Sequence, residues 1–70
     1  MEFSIGDRIR VAKSAVADYV GLEGVVVRRR PDSDPIFNSY TLKTDEGQLY
    51  DFLEFQVELV RPSGGPKGAA

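Results

Sequence analysis

The sequence predicts an all-β fold, a five-stranded barrel with a short 3-10 turn before the last strand. Gly21 and Gly24 lead directly into the β-branched run 25–27, a pattern typical of a turn followed by a central strand. Polar and apolar residues alternate with a period of two over 8–12 and 40–44, as they do in half-buried strands. A chain of 70 residues has room for one domain with one small core.

The first alternating run is predicted to place Ile9 and Val11 in the core and Arg8 and Arg10 in solvent. The segment 13–19 that follows is compatible with a helical turn or a loop. We expect a loop, because the segment is too short to stand as an independent helix.

The second strand is predicted over 25–30, and its alternation allows two arrangements. Either Val25 and Val27 or Val26 can face the core. We expect Val25 and Val27 to be buried and the strand to lose its regularity near its end. The arginines that follow are then all exposed to solvent.

A β-hairpin is predicted to run from Tyr40–Thr44 through the turn Asp45-Glu46-Gly47 to Gln48–Phe52, because the turn glycine suits a three-residue loop. Residues 53–57 break the alternation and are expected to form the 3-10 turn, and 58–61 the last strand. The residues predicted to be buried are Ile9, Val11, Leu22, Val25, Val27, Leu42, Leu49, Phe52, Val57 and Leu59.

The barrel is expected to span 1–61, and the Gly/Pro-rich segment 62–70 to be a disordered tail. No apolar run approaches the length needed to span a bilayer. The first residues, 1–4, lack the basic and apolar regions of a signal peptide. These features predict a soluble cytoplasmic protein that makes no contact with a membrane.

The composition argues against cofactor and metal chemistry. The chain contains no cysteine and no histidine, so a metal site would depend on carboxylates alone. No cofactor is expected. The formal net charge of -2 at pH 7 also argues against a chain built to bind polyanions over its whole surface.

The run Arg28-Arg29-Arg30 is the main concentration of positive charge and therefore a candidate for contact with phosphate or carboxylate groups. Asp32 and Asp34 follow at once and could neutralise it. A charge run is also commonly just a solvated surface. The sequence leaves both interpretations open.

The loop 31–39 is polar and rich in turn residues, yet it contains the apolar pair Ile36 and Phe37. Such a pair either folds back over the mouth of the barrel or offers a contact surface to a partner. Both arrangements fit the sequence.

The chain contains Gly6-Asp7-Arg8-Ile9-Arg10-Val11, then Gly21-Leu22-Glu23-Gly24-Val25-Val26, then a hairpin and a terminal Phe52…Val57-Glu58-Leu59-Val60. These segments together resemble the SH3-like barrel superfamily over roughly residues 3 to 61. Within them, Gly21-x-x-Gly24-x-Val26 is similar to the KOW motif of ribosomal and transcription-elongation proteins. Barrels of this kind serve many unrelated tasks, so the likeness implies a fold more than a function.

The resemblance to small bacterial and phage SH3-like proteins implies a non-catalytic module that docks on a protein partner through the loops 13–20 and 31–39. Aromatic and arginine side chains are the usual hot-spot residues of such interfaces. The candidate partner-binding residues are the apolar Tyr19, Ile36 and Phe37 and the charged Arg28, Arg29 and Arg30. Alternatively, Tyr19 and Phe37 merely cap the ends of a small core. The oligomeric state is left open.

The KOW resemblance implies a second function, RNA binding, which needs a basic surface with stacking aromatic rings. The arginine run together with Tyr40 or Tyr50 is the best candidate for such a surface. Flanking carboxylates leave no extended positive stripe, so this function is not favoured.

A third, enzymatic function comes from a further resemblance. Residues 3–10 are similar to the start of the barrel in plasmid-borne type II dihydrofolate reductases, whose pore motif is Val-Gln-Ile-Tyr from four copies. Gln48-Leu49-Tyr50 is similar to its last three residues, and Lys13 lies near the position of a pore lysine. Gly47 replaces the valine, and the loop 31–39 differs in length and character.

Overall fold

The computed structural model describes residues 2–31, 33 and 37–63, and within them it contains five strands. The strands are β1 (Arg8–Val11), β2 (Glu23–Arg30), β3 (Ser39–Lys43), β4 (Leu49–Leu53) and β5 (Val57–Arg61). A 3-10 turn, Glu54–Gln56, lies directly before β5 as the sequence predicts. The all-β class is therefore confirmed.

The strands form one antiparallel sheet in the order β4-β3-β2-β1-β5. Strands that follow each other in the chain are neighbours, except that β5 returns to the far side of β1. The hydrogen-bonded order begins at β4 and ends at β5, so the described sheet is open and has two edges. It does not show the closed barrel that the sequence predicts.

The core lies on one face of this sheet and is covered in part by Phe3, which comes from the segment before β1. The Phe3 ring packs edge-on against Tyr40, with 5.2 Å between the ring centroids. Leu22 and Tyr50 are partly buried against the same cluster. The buried apolar residues are Phe3, Ile9, Val11, Val26, Tyr40, Leu42, Phe52 and Val57.

The predicted face of β2 is wrong. Val26 is completely buried, whereas Val25 is only half-buried and Val27 is 42% exposed. The cause lies in β1, because the buried Ile9 stands directly opposite Gly24 and so assigns Gly24 to the core face. Alternation then carries Val26 to the same face.

The predicted hairpin is present. The prediction that Leu49 is buried is wrong, because Leu49 is 58% exposed. The three-residue turn 45–47 pairs Leu42 with Tyr50 and Tyr40 with Phe52. Tyr50 and Phe52 thereby take the core face, and Leu49 falls on the opposite face. Gly47 has the expected positive φ of 86°.

Leu59 was also predicted to be buried and is instead 36% exposed. It stands opposite Ile9 and therefore faces the core side. However, β5 is an edge strand with a neighbour on one side only, so Leu59 is incompletely covered.

The N-terminal turn is joined to the end of β5 through the buried carboxylate of Asp7. This carboxylate accepts hydrogen bonds from the main-chain N–H of Ser4 at 2.8 Å and of Ser63 at 2.6 Å. Ser63 belongs to the segment 62–70 that was predicted to be a disordered tail, and residues 64–70 lie outside the described residues.

Gly24 lies so close to β3 that it has no room for a side chain. A Cβ at this position would be 2.5 Å from the carbonyl oxygen of Lys43 and 2.8 Å from Cδ1 of Leu42. Neither atom can retreat freely, because one is main chain and the other belongs to a fully buried leucine. Gly24 therefore marks a close approach between β2 and β3.

We therefore expect Gly24→Ala to destabilise the protein by about 3 kcal/mol, the upper range for an overpacked site. Small cores rarely supply more than about 3–5 kcal/mol in total, so the variant should keep only a small part of the wild-type free energy of unfolding. Urea unfolding followed by circular dichroism measures the effect.

Gly47→Ala is the matched control, because a Cβ there meets nothing within 4 Å and only the positive φ is strained. Its expected cost is about 1 kcal/mol. Equal destabilisation by the two variants would show that Gly24 is not closely packed against β3.

Candidate partner-binding surface

Tyr19 ends a short 3-10 turn, Ala17–Tyr19, inside the loop between β1 and β2. Main-chain hydrogen bonds hold this turn: the N–H of Tyr19 donates to Val16 at 3.0 Å and the N–H of Leu22 donates to Tyr19 at 3.0 Å. The N–H of Gly21 donates to Val11 at 2.8 Å and attaches the loop to β1. The segment 13–19, expected to be a loop, therefore ends in the short helical turn that was the alternative.

The Tyr19 ring packs on two rings of β4, and we call Tyr19, Tyr50 and Phe52 the aromatic cluster. The centroid of Tyr19 lies 5.5 Å from that of Tyr50 and 5.9 Å from that of Phe52. Phe52 is buried, Tyr50 is half-buried and Tyr19 is 36% exposed. The cluster therefore extends from the core to the surface.

The loop around Tyr19 also exposes aliphatic side chains, with Val16 49% and Val20 50% exposed. Tyr50 completes this surface, although the sequence singles it out only for base stacking or for the reductase motif. Its place beside Tyr19 depends on the hairpin register, which the sequence pattern predicts only in outline.

Phe37, in the loop between β2 and β3, is 50% exposed just before the start of β3. Its neighbour Asn38 is buried and its carbonyl accepts a hydrogen bond from the N–H of Glu54 at 2.8 Å. Phe37 is thus held at the end of the hairpin next to the 3-10 turn. Ile36 lies outside the described residues.

A hydrogen-bonded network fixes this end of the sheet around Glu54. Its carboxylate accepts hydrogen bonds from the Tyr40 hydroxyl at 2.9 Å and from the Asn38 amide at 3.3 Å. The Tyr40 hydroxyl also accepts a bond from the N–H of Phe3 at 3.1 Å. Tyr40, proposed as a stacking residue, is therefore a core residue.

The network shifts the acidity of both side chains. Burial acts to raise the pKa of Glu54, but hydrogen bonds, among them those from Tyr40 and Asn38, outweigh it and lower the pKa overall. Burial, followed by the hydrogen bond to Glu54, raises the pKa of Tyr40. Together the two shifts favour a charged glutamate beside a neutral tyrosine.

The three consecutive arginines do not form one patch. The register of β2 shifts at Val27, so that Val26 pairs with Leu42 but Arg28 pairs with Thr41. Val27 is the extra residue of a β-bulge. Beyond it, Arg28 lies on the face away from the core.

Arg29, opposite Tyr40, lies on the core side, where its guanidinium is 3.7 Å from the Glu2 carboxylate. Arg30, opposite Ser39, returns to the outer face. All three arginines are exposed, as the sequence predicts. They nevertheless point to two different faces.

Lys43 joins Arg28 and Arg30 on the outer face, because it stands opposite Val25 and next along β3 from Thr41 on that face. We call Arg28, Arg30 and Lys43 the cationic surface. All three are exposed, and within the described part of the chain none of them forms an ion pair. The sequence does not point to Lys43, since its position beside the arginines depends on the register between β2 and β3.

The arginines of β1, by contrast, are neutralised. Arg8 pairs with Glu23 and, at 3.2 Å, with Asp45. Arg10 pairs with Glu58 at 2.7 Å. Hydrogen bonds to these carboxylates raise the pKa of both arginines. Both side chains point away from the core, and Arg10 is exposed as expected, but Arg8 is half-buried beside its carboxylate partners.

The residues of the reductase-like motif lie along the start of β4. The Tyr50 hydroxyl donates to the Gln48 side-chain oxygen at 3.1 Å, while Leu49 between them is exposed on the other face.

In the described residues, no helix is long and apolar enough to cross a membrane. No protein-family model matches the chain, and no curated protein matches it.

The lowered pKa of Glu54 predicts a pH-dependent contribution to stability. A lowered folded-state pKa stabilises the fold above the unfolded value of about 4.3, and the contribution is lost as the pH falls through the folded value. We expect Glu54→Gln to cost about 1 kcal/mol at pH 7, and the difference from the wild type to shrink below about pH 4.

Chemical denaturation at pH 3 to 7, in steps of about one pH unit, measures this difference. Glu46→Gln is the control, because Glu46 is an exposed residue of the hairpin turn and should change stability little at any pH. A Glu54→Gln difference that stays constant over the whole range would contradict the assigned role of the charge.

Proposed function

We propose that this chain is a small non-catalytic binding module of SH3-like architecture that docks on a protein partner. The five antiparallel strands and the 3-10 turn before β5 are compatible with that architecture. The observation that carries the functional proposal is the position of Tyr19, which is 36% exposed while its ring packs on Tyr50 and Phe52.

An aromatic ring held in this way suits recognition. A large side chain that is already ordered loses little conformational freedom on binding and still offers apolar area to a partner. The neighbouring Val16 and Val20 enlarge the apolar area around Tyr19. Phe37 adds an exposed ring at the end of the hairpin. Tyr19 and Phe37 thus lie in the two loops that were expected to bind the protein partner. Aromatic residues are enriched among the hot spots of such interfaces.

RNA binding, the alternative function, receives less support from the same geometry. Sequence-independent binding of single strands combines cationic side chains and stacking rings in one groove. Here Arg28 and Arg30 face outward, whereas Tyr40 and Tyr50 lie on the core side of the sheet. The aromatic cluster is therefore better placed for an apolar protein contact than for bases held beside those arginines.

We predict that Tyr19→Ala weakens binding of the partner about thirtyfold, the equivalent of ~2 kcal/mol for a hot-spot truncation. The partner is first captured from a nuclease-treated native lysate with the wild-type chain as bait, identified, and purified. Titration calorimetry with the wild type and the variant then measures the loss.

Val60→Ala is the control, because Val60 is 41% exposed near the end of β5, which pairs with the start of β1 and not with the loop that follows β1. It should bind as the wild type does. Thermal unfolding shows whether each variant remains folded. Capture that disappears on nuclease treatment, or equal binding by folded Tyr19→Ala, would refute the proposal.

A further inference from the structure

We propose that the cationic surface, Arg28, Arg30 and Lys43, binds an extended acidic segment of the protein partner. The inference rests on the proposed function and adds the chemistry of the bound segment. It concerns the outer face of the sheet, which the aromatic cluster does not occupy.

The bulge at Val27 creates this surface. Without it, alternation from the buried Val26 would turn Arg28 and Arg30 toward the core side. With one extra residue, both arginines instead stand on the outer face opposite Thr41 and Ser39. Bulges commonly re-aim side chains next to functional sites.

The charges of this surface lack the neutralisation found elsewhere in the sheet. Arg8 and Arg10 pair with carboxylates of neighbouring strands, and Arg29 pairs with Glu2. Among the described residues, Arg28 and Arg30 have no such carboxylate. Arg28 and Arg30 thus bring unpaired positive charge to the same part of the outer face as Lys43.

The spacing of the two arginines fits an extended peptide. Arg28 and Arg30 are two residues apart on one strand, a separation of about 6.8 Å, and alternate side chains of an extended peptide have the same separation. Acidic residues at every second position can therefore meet both guanidinium groups. Arginine is well suited to this contact, because its planar fork binds carboxylates in a bidentate manner.

Asp51 limits the surface on the β4 side. It stands opposite Thr41 on the outer face, and its carboxylate accepts a hydrogen bond from the Thr41 hydroxyl. Thr41 itself is buried, with Arg28 and Asp51 on its two sides. Asp51 should repel an acidic ligand, so its neutralisation provides a test of opposite sign.

The test is a titration of the 70-residue chain, isotope-labelled for NMR, with a synthetic peptide of alternating Glu and Ser. A peptide of alternating Gln and Ser is the neutral control. We expect the amide shifts to concentrate at Arg28, Arg30, Ser39, Thr41 and Lys43. Arg28→Ala and Arg30→Ala should each weaken binding about fivefold, as removal of one exposed ion pair does. Asp51→Asn should strengthen it.

Arg61→Ala is the matched control, because Arg61 is an exposed arginine on β5, at the far edge of the sheet, and should bind the peptide as the wild type does. Equal losses in Arg61→Ala and Arg28→Ala would overturn the inference. So would tighter binding of an eight-nucleotide oligouridylate than of the acidic peptide at the same residues, which would assign the surface to nucleic acid.

The outcome also separates the inference from the proposed function. If the captured partner loses affinity for Tyr19→Ala but not for the double variant of Arg28 and Arg30, the docking function stands and the acidic segment is refuted. If no nuclease-resistant partner is found, the docking function fails, whatever the acidic peptide does.

Discussion

The contact of Gly24 with the main chain of β3 is the constraint on which the rest of the structure depends. A side chain at this position would overlap the Lys43 carbonyl, so β2 can pass β3 at this distance only with glycine. Gly24 also stands opposite the buried Ile9 of β1. The central strand is therefore held on both sides at one residue, and the faces of β1, β2 and β3 follow from it.

The bulge at Val27 separates two surfaces that the chain would otherwise merge. Before the bulge, β2 contributes Val26 to the core, and after it Arg28 and Arg30 go to the outer face. The aromatic cluster remains on the core side, reached by Tyr19 from the loop between β1 and β2. One extra residue thus permits an apolar contact on one side of the sheet and a charged contact on the other.

Local patterns in the sequence predict the elements well but not all of their faces. The hairpin could be found because its turn glycine and alternating flanks act over short distances, and Ile9 and Val11 because charged neighbours mark their alternation. The run of three valines has no charged residues within it that would show which of the valines faces the core. Val26 faces the core because Gly24, two residues before it, stands opposite the buried Ile9.

The same holds for the candidate partner-binding surface: residue type predicts exposure, whereas the register of the strands determines which side chains are neighbours. The exposure of the three arginines follows from residue type, and the structure confirms it. Tyr19 and Phe37, for which the sequence leaves two interpretations open, are exposed as well. The sequence does not show which residues lie beside them. Tyr50 contacts Tyr19 because the loop folds over β4, and Lys43 shares a face with Arg28 because the register shifts.

The most direct test of this arrangement is the measurement of cross-strand nuclear Overhauser effects between β2 and β3 in the labelled chain. A bulge at Val27 predicts that the main chain of Arg28 is close to that of Thr41, while Val26 remains opposite Leu42. Contacts of Val27 with Thr41 and of Arg28 with Tyr40 would indicate a regular strand. They would place Arg28 on the core side and contradict the separation of the two surfaces.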